Sequence, residues 1–162
     1  MRKIVTFLWF EGHAEEAVNL YVSLFKDAKI INTSYVTEAV AKEAGVKPGT
    51  VSTIDFELQG QNFTVLNGGP MYKLSEATSI AVSCKDQAEI DRLWDALSKD
   101  GNVMSCGWVT DKYGLTWQIM PDNLGEMMRD PDPVKANRVS EAFLSMEDKL
   151  DKAELEKAYR GE

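Results

Sequence analysis

The sequence predicts an α+β fold: two tandem βαβββ modules, near residues 1–70 and 75–122, followed by a helical extension over 123–162. Three observations predict it. Shifted by 73 residues, the chain repeats a helix: Ala17, Leu20, Tyr21 and Leu24 fall on Ile90, Leu93, Trp94 and Leu97. Each set has the i, i+3, i+4, i+7 spacing of an amphipathic apolar stripe. At the same shift Thr6-Phe7-Leu8-Trp9 falls on Ser79-Ile80-Ala81-Val82, a strand leading into each helix, and Lys26-Asp27 falls on Lys99-Asp100. Shifted by 54, Gly60 to Leu66 falls on Gly114 to Met120, a glycine-led strand closing each half. Such self-similarity marks a duplicated unit.

The elements follow in order. The first half reads as strands near 3–10, 28–36, 50–58 and 62–67, with a helix near 13–26. Val51, Thr53, Asp55 and Glu57 alternate with Ser52, Ile54, Phe56 and Leu58, the period of a half-buried strand. An extra segment, Thr37 to Thr50, carries a short helical stretch from Glu38 to Ala44 that Gly45 ends, and then the turn pair Pro48-Gly49. The second half reads as strands near 77–84, 102–104, 107–111 and 115–120, with a helix near 87–99 opened by Asp86 or Lys85. Pro121, Pro131 and Pro133 punctuate the tail, which reads as a short helix over 123–129, an amphipathic one over 134–146 and a last one from Asp151, where Glu154 completes a capping pair.

Composition narrows the function. The 162 residues carry a net charge of −8, with 26 acidic and 18 basic side chains. That balance excludes the basic footprint of a nucleic-acid binder and offers no attraction to an anionic membrane. Two cysteines, Cys84 and Cys106, and one histidine, His13, exclude a disulfide framework and a His-rich metal centre. No export signal and no apolar run of ~18 residues is legible, so a cytoplasmic protein is expected.

Phe7-Leu8-Trp9-Phe10 running into Ala14-Glu15-Glu16-Ala17, then Asp91-Arg92-Leu93-Trp94, Cys106-Gly107-Trp108 and above all Asp111-Lys112-Tyr113-Gly114-Leu115-Thr116-Trp117-Gln118-Ile119, carry a resemblance. Over residues 1–122 the chain resembles the vicinal oxygen chelate superfamily of glyoxalases, bleomycin-resistance proteins and extradiol dioxygenases. Within it, the chain is similar to the PhnB-like subfamily, often labelled 3-demethylubiquinone-9 3-methyltransferase. The resemblance implies that the paired modules form a cupped mixed sheet. It also implies a homodimer and a small-molecule ligand held in the cup.

Metal-dependent members place four inward ligands, usually His and Glu, on the first and last strand of each half. Carried onto this chain, those positions are Thr6, Thr64, Ser79 and Gln118. Hydroxyls and an amide hold transition metals weakly. The expectation is therefore a pocket with no metal and no cofactor, binding a small organic molecule. Its candidate lining is Thr6, Leu8 and Phe10 from the first strand, Thr64 and Asn67, Ser79, Cys106 and Trp108, Tyr113, and Thr116 and Gln118 from the last strand. Trp117 alternates with Gln118 and is expected on the helix side. His13 is expected as a polar residue of the first helical turn, and Cys106 as an inert thiol. Gly68-Gly69 follows a strand but precedes Pro70, unlike a nucleotide-binding loop. Two other readings stay open: an enzyme, either a metal-dependent lyase or dioxygenase or the methyltransferase of the label, and an interaction module whose cup is filled by its own side chains.

Overall fold

A computed structural model describes residues 4–162. The expected start of the first strand at residue 3 lies outside them. The chain divides into two compact units, the first ending at Leu74 and the second running Ser75–Glu162. In order, the elements are β1 (Thr6–Phe10), α1 (Ala14–Leu24), β2 (Lys29–Tyr35), α2 (Glu38–Ala44), β3 (Val51–Leu58), β4 (Gln61–Asn67), β5 (Ser79–Cys84), α3 (Gln87–Ser98), β6 (Asn102–Val103), β7 (Trp108–Thr110), β8 (Thr116–Pro121), α4 (Leu124–Met128), α5 (Pro133–Ser145) and α6 (Lys152–Arg160). Among the described residues no helix is long and apolar enough to cross a membrane.

Each unit is one four-stranded mixed sheet, ordered β1-β4-β3-β2 in the first and β5-β8-β7-β6 in the second. In both, the first strand pairs parallel with the last, and the remaining pairs are antiparallel. The predicted βαβββ order is therefore present twice. In the first unit α1 buries Ala14, Ala17, Val18 and Tyr21 over Leu8, Phe10, Ile54, Phe56, Phe63 and Val65. The Tyr21 and Phe56 rings lie 6.3 Å apart. Each such side chain contributes about 1.5–3 kcal/mol when fully removed from water. In the second unit α3 buries Ile90, Leu93, Trp94 and Leu97, and the helix-side residues of its sheet include Trp117, Ile119 and Val109, all fully buried.

The local signals are chemically explicit. The Asp86 carboxylate accepts from Glu89 N, while the Glu89 carboxylate accepts from Lys85 N. Asp151 accepts from Glu154 N at the start of α6, and Asp132 caps α5 ahead of Pro133. These side chains satisfy helix N–H groups that have no intrahelical acceptor.

The tail docks on the second unit. Leu124, Met127, Val139, Leu150 and Leu155 form a buried cluster against which Met120, Phe143, Met146 and Tyr159 pack. Cys106 N donates to Met146 O and Gly107 N to Asp148 O. The Gln87 side chain donates to Leu150 O and accepts from Lys152 N, and Lys149 pairs with Asp91 at 2.8 Å. Gly107 is obligatory here. Its φ is +76°, and a Cβ would stand 2.7 Å from Ile119 O and 2.9 Å from Leu150 Cγ.

The hairpin between β7 and β8 hangs on one buried carboxylate. Asp111 Oδ1 accepts from Tyr113 N at 2.9 Å and Leu115 N at 3.1 Å, and Oδ2 accepts from Trp117 Nε1 at 2.9 Å. Asp111→Asn keeps the two backbone bonds but turns an amide N–H against the indole N–H. We expect it to cost roughly 2–3 kcal/mol, the penalty of an unsatisfied buried donor beside a lost charge-assisted bond. Asp111→Ala costs more. Urea unfolding of the two variants measures both values.

Candidate functional site

Strand register decides which side chains leave the helix-covered face. In the first unit β1 pairs with β4 so that Phe7 lies beside Thr64, Leu8 beside Val65, Trp9 beside Leu66 and Phe10 beside Asn67. Thr64 in turn lies beside Asp55 on β3. Leu8, Phe10 and Val65 are buried on the α1 side. The face turned away from α1 therefore carries Phe7, Trp9, Thr64, Leu66, Thr53, Asp55 and Glu57. Thr6, Leu8 and Phe10, expected to line a pocket, lie on the opposite face.

The physical reason is one residue. β1 ends at Phe10 and β5 at Cys84, opposite Asn67 and Pro121 respectively, so the strands repeat at a shift of 74. The helices start at Ala14 and Gln87, a shift of 73. The first turn, Glu11-Gly12-His13, has one residue more than Lys85-Asp86, and His13 takes it up in the left-handed region at φ 64°. A one-residue slip moves every side chain of a strand to the other face. His13 itself is exposed at the head of α1, 3.3 Å from Glu16.

In the second unit four of the candidates lie on one face. Ser79, Thr116, Gln118 and Trp108 share the face turned away from α3, since Ser79 pairs with Thr116 and Trp108 with Gln118. Gln118 Nε2 donates to Ser79 Oγ at 2.6 Å. The Thr110 and Thr116 hydroxyls meet at 2.9 Å. Trp117 is on the helix side, as expected.

The remaining candidates hold the fold. Asn67 Oδ1 accepts from Ala14 N, and its Nδ2 donates to Val51 O, pinning α1 to the sheet. Tyr113 sits in the turn that Asp111 holds, with the Lys112 ammonium 5.0 Å from its ring centre. Cys106, at φ 61°, directs its Sγ to Phe143 O at 3.4 Å and so faces the tail. Alternation overlooked Phe7 and Trp9 because every residue from Phe7 to Phe10 is apolar. Only the extra turn residue signals the flip.

The metal ion held by metal-dependent relatives does not fit these residues. The Thr64 hydroxyl donates to Asp55 at 2.6 Å, and Gln118 is engaged with Ser79. Among the described residues no group of three or more His, Cys, Asp or Glu side chains could hold a metal ion. The glycine pair that follows β4 is filled from within. A Cβ on Gly68 would stand 2.2 Å from the Trp9 ring, and Trp9 Nε1 donates to Gly69 O at 2.8 Å. No phosphate-bearing cofactor finds a cradle there.

A family model described as 3-demethylubiquinone-9 3-methyltransferase matches residues 2–120. The chain belongs to this family. A PhnB protein of Bacillus cereus bearing the same methyltransferase name is 36% identical over 74% of this chain and 99% of its own, with a TM-score of 0.64. This PhnB likeness and the paired modules place the chain in the vicinal oxygen chelate superfamily. A Pseudomonas aeruginosa protein, 19% identical over 75% of this chain and 98% of its own, shares the fold at a TM-score of 0.56. No curated protein matches the chain. The family match stops at residue 120, ahead of α4, α5 and α6.

Neither cysteine is placed as a nucleophile. Burial, with the Glu89 carboxylate second, pushes the Cys84 thiol from 9.0 up to about 12. A thiol kept neutral in the fold stabilises below its unfolded value and loses that contribution as pH rises through the folded one. Unfolding free energy should fall between pH 9 and about 12, and Cys84→Ala should flatten that fall. Urea titrations of both proteins across pH 8–11 measure the difference.

Proposed function

We propose that this family member binds a small organic molecule on the sheet faces turned away from α1 and α3, without a metal ion. The observation that carries the reading is the pair of polar contacts at the middle of those faces. Thr64, Ser79 and Gln118 are three of the four positions onto which the resemblance carries the metal ligands of related proteins, and Asp55 is the partner of Thr64. Each pair satisfies itself inside its own sheet. Around them stand Phe7 and Trp9 in one unit and Trp108 in the other. Aromatic and apolar surface with a few oriented polar groups is the composition of a small-molecule site.

The same reading has the protein act in the cytoplasm, where its two free cysteines stay reduced, and as a homodimer. In support of pairing, β2 is an edge strand exposing Ile30, Ile31 and Tyr35, surface of the kind another chain covers. Sedimentation velocity should return about twice the 18.1 kDa chain mass, and a monomer overturns this part.

A thermal-shift screen of small organic molecules, followed by calorimetry, tests the binding reading. The expected result is saturable binding of a compound, its affinity weakened at least tenfold by Trp9→Ala where it sits on the first unit's face, or by Trp108→Ala or Gln118→Ala where it sits on the second's. Titration with Ni²⁺, Zn²⁺ and Mn²⁺ should give no stoichiometric binding. One tightly held metal ion per chain overturns the metal-free reading. Micromolar binding of S-adenosylmethionine instead favours methyl transfer, and a screen without a hit overturns small-molecule binding.

A further inference from the structure

The two faces differ in charge, and the difference names a ligand class. In the first unit one row crosses three neighbouring strands: Phe7 on β1, Thr64 on β4 and Asp55 on β3. The matching row of the second unit is Ala81, Gln118 and Trp108, which is neutral. Strands lie ~4.8 Å apart, so Phe7 and Asp55 flank Thr64 across roughly 10 Å. Thr64 is the small residue of the three, and its hydroxyl is already turned to Asp55. The row thus sets an aromatic ring on one side of the hydroxyl and a carboxylate on the other.

The carboxylate lacks a counter-charge. Asp55 is half-buried, and among the described residues its hydrogen-bond partner is Thr64, with no cation paired to it. Glu57, two residues on along the same face, is matched by Lys29 at 3.6 Å. The opposite side of the row suits the missing charge. Phe7 is 59% exposed. Next to it Trp9 is held by the Gly69 carbonyl and by an edge-on contact with Tyr72 at 4.9 Å. Aromatic faces attract cations within about 6 Å.

We propose that the first unit's open face selects an organic cation, an ammonium-bearing molecule with an apolar or aromatic body. The ammonium sits above Thr64 between Asp55 and Phe7, and the body extends over Trp9 and Tyr72. This rests on the small-molecule reading above and assigns its ligand class. Asp55 supplies the charge that discriminates, and Phe7 and Trp9 supply apolar contact.

Three probes of similar size and different charge test it: benzyltrimethylammonium, benzyl alcohol and benzoate. They are titrated into the ¹⁵N-labelled full chain and followed by amide and indole shifts. The expected result is saturable shifts at Phe7, Thr64, Asp55 and the Trp9 indole with the cation, and at least tenfold weaker binding of the other two. Asp55→Asn retains an acceptor for Thr64 and should weaken the cation at least tenfold. Phe7→Ala should weaken it severalfold, and Glu57→Gln, already balanced by Lys29, less than Asp55→Asn. Raising the salt concentration should weaken the cation in the unsubstituted protein and leave benzyl alcohol unchanged, which gives a readout independent of any variant's folding. Equal binding of benzoate or benzyl alcohol, or an Asp55→Asn protein that binds the cation as before, overturns the cation assignment and leaves small-molecule binding standing. Silence with all three probes also overturns the assignment, and the binding reading is then judged by the library screen alone.

Discussion

The parallel pairing of first and last strand in each unit is the constraint on which the rest depends. It brings residues far apart in sequence side by side: Phe7 beside Thr64, and Ala81 beside Gln118. It also leaves no latitude, because side chains alternate between faces with a period of two. Given that register and the apolar stripe of α1 or α3, each sheet has one face sealed in a core. The other face carries the Thr64–Asp55 contact in the first unit and the Gln118–Ser79 contact in the second.

The fold was legible because its signals are local and repeated. Two amphipathic helices at a fixed shift, glycine-led closing strands and capping residues such as Asp86 and Asp151 each have one physical meaning. Strand faces were legible for Ser79, Trp108, Thr116 and Gln118 in the second unit, but not for Thr6, Leu8 and Phe10 in the first, nor for Cys106 and Tyr113, which turn and tail contacts occupy. Gln118 lies between buried Trp117 and Ile119 along β8, so pattern and face agree there. Along β1 the sequence offers Phe7, Leu8, Trp9 and Phe10, four apolar residues in a row, and alternation carries no information there. The face is set by a turn one residue longer than its counterpart, an insertion that a helix-to-helix alignment absorbs without trace.

The most specific stretch of the sequence, Asp111 to Ile119, proved to be about shape. Asp111 ties two backbone amides and an indole into one hairpin, and Trp117 and Ile119 are fully buried. Only Thr116 and Gln118 of that run reach the other face. Cys106 and Gly107 are likewise occupied, by the tail: their backbone N–H groups meet Met146 and Asp148. A motif that identifies a fold need not touch a ligand, since positions with one workable residue are often those that hold a turn or a docking contact.

Duplication explains both the likeness of the units and their divergence. Thr64 and Gln118 hold equivalent positions, and each closes a polar contact at 2.6 Å, Thr64 with Asp55 on β3 and Gln118 with Ser79 on β5. A metal ion at either place would have to break that bond, and beside the single Asp55 carboxylate it would meet neutral hydroxyls and an amide, poor donors for a transition metal. Nothing comparable stands against an organic ligand, which can lie over the pair without disturbing it. The first unit adds an aspartate and three aromatic rings, while the second keeps neutral donors and one tryptophan. Two copies of one scaffold therefore present chemically distinct surfaces. The distinction rests on the residues at equivalent register positions, Asp55 against Trp108 and Phe7 against Ala81, because strand order and pairing are the same in both.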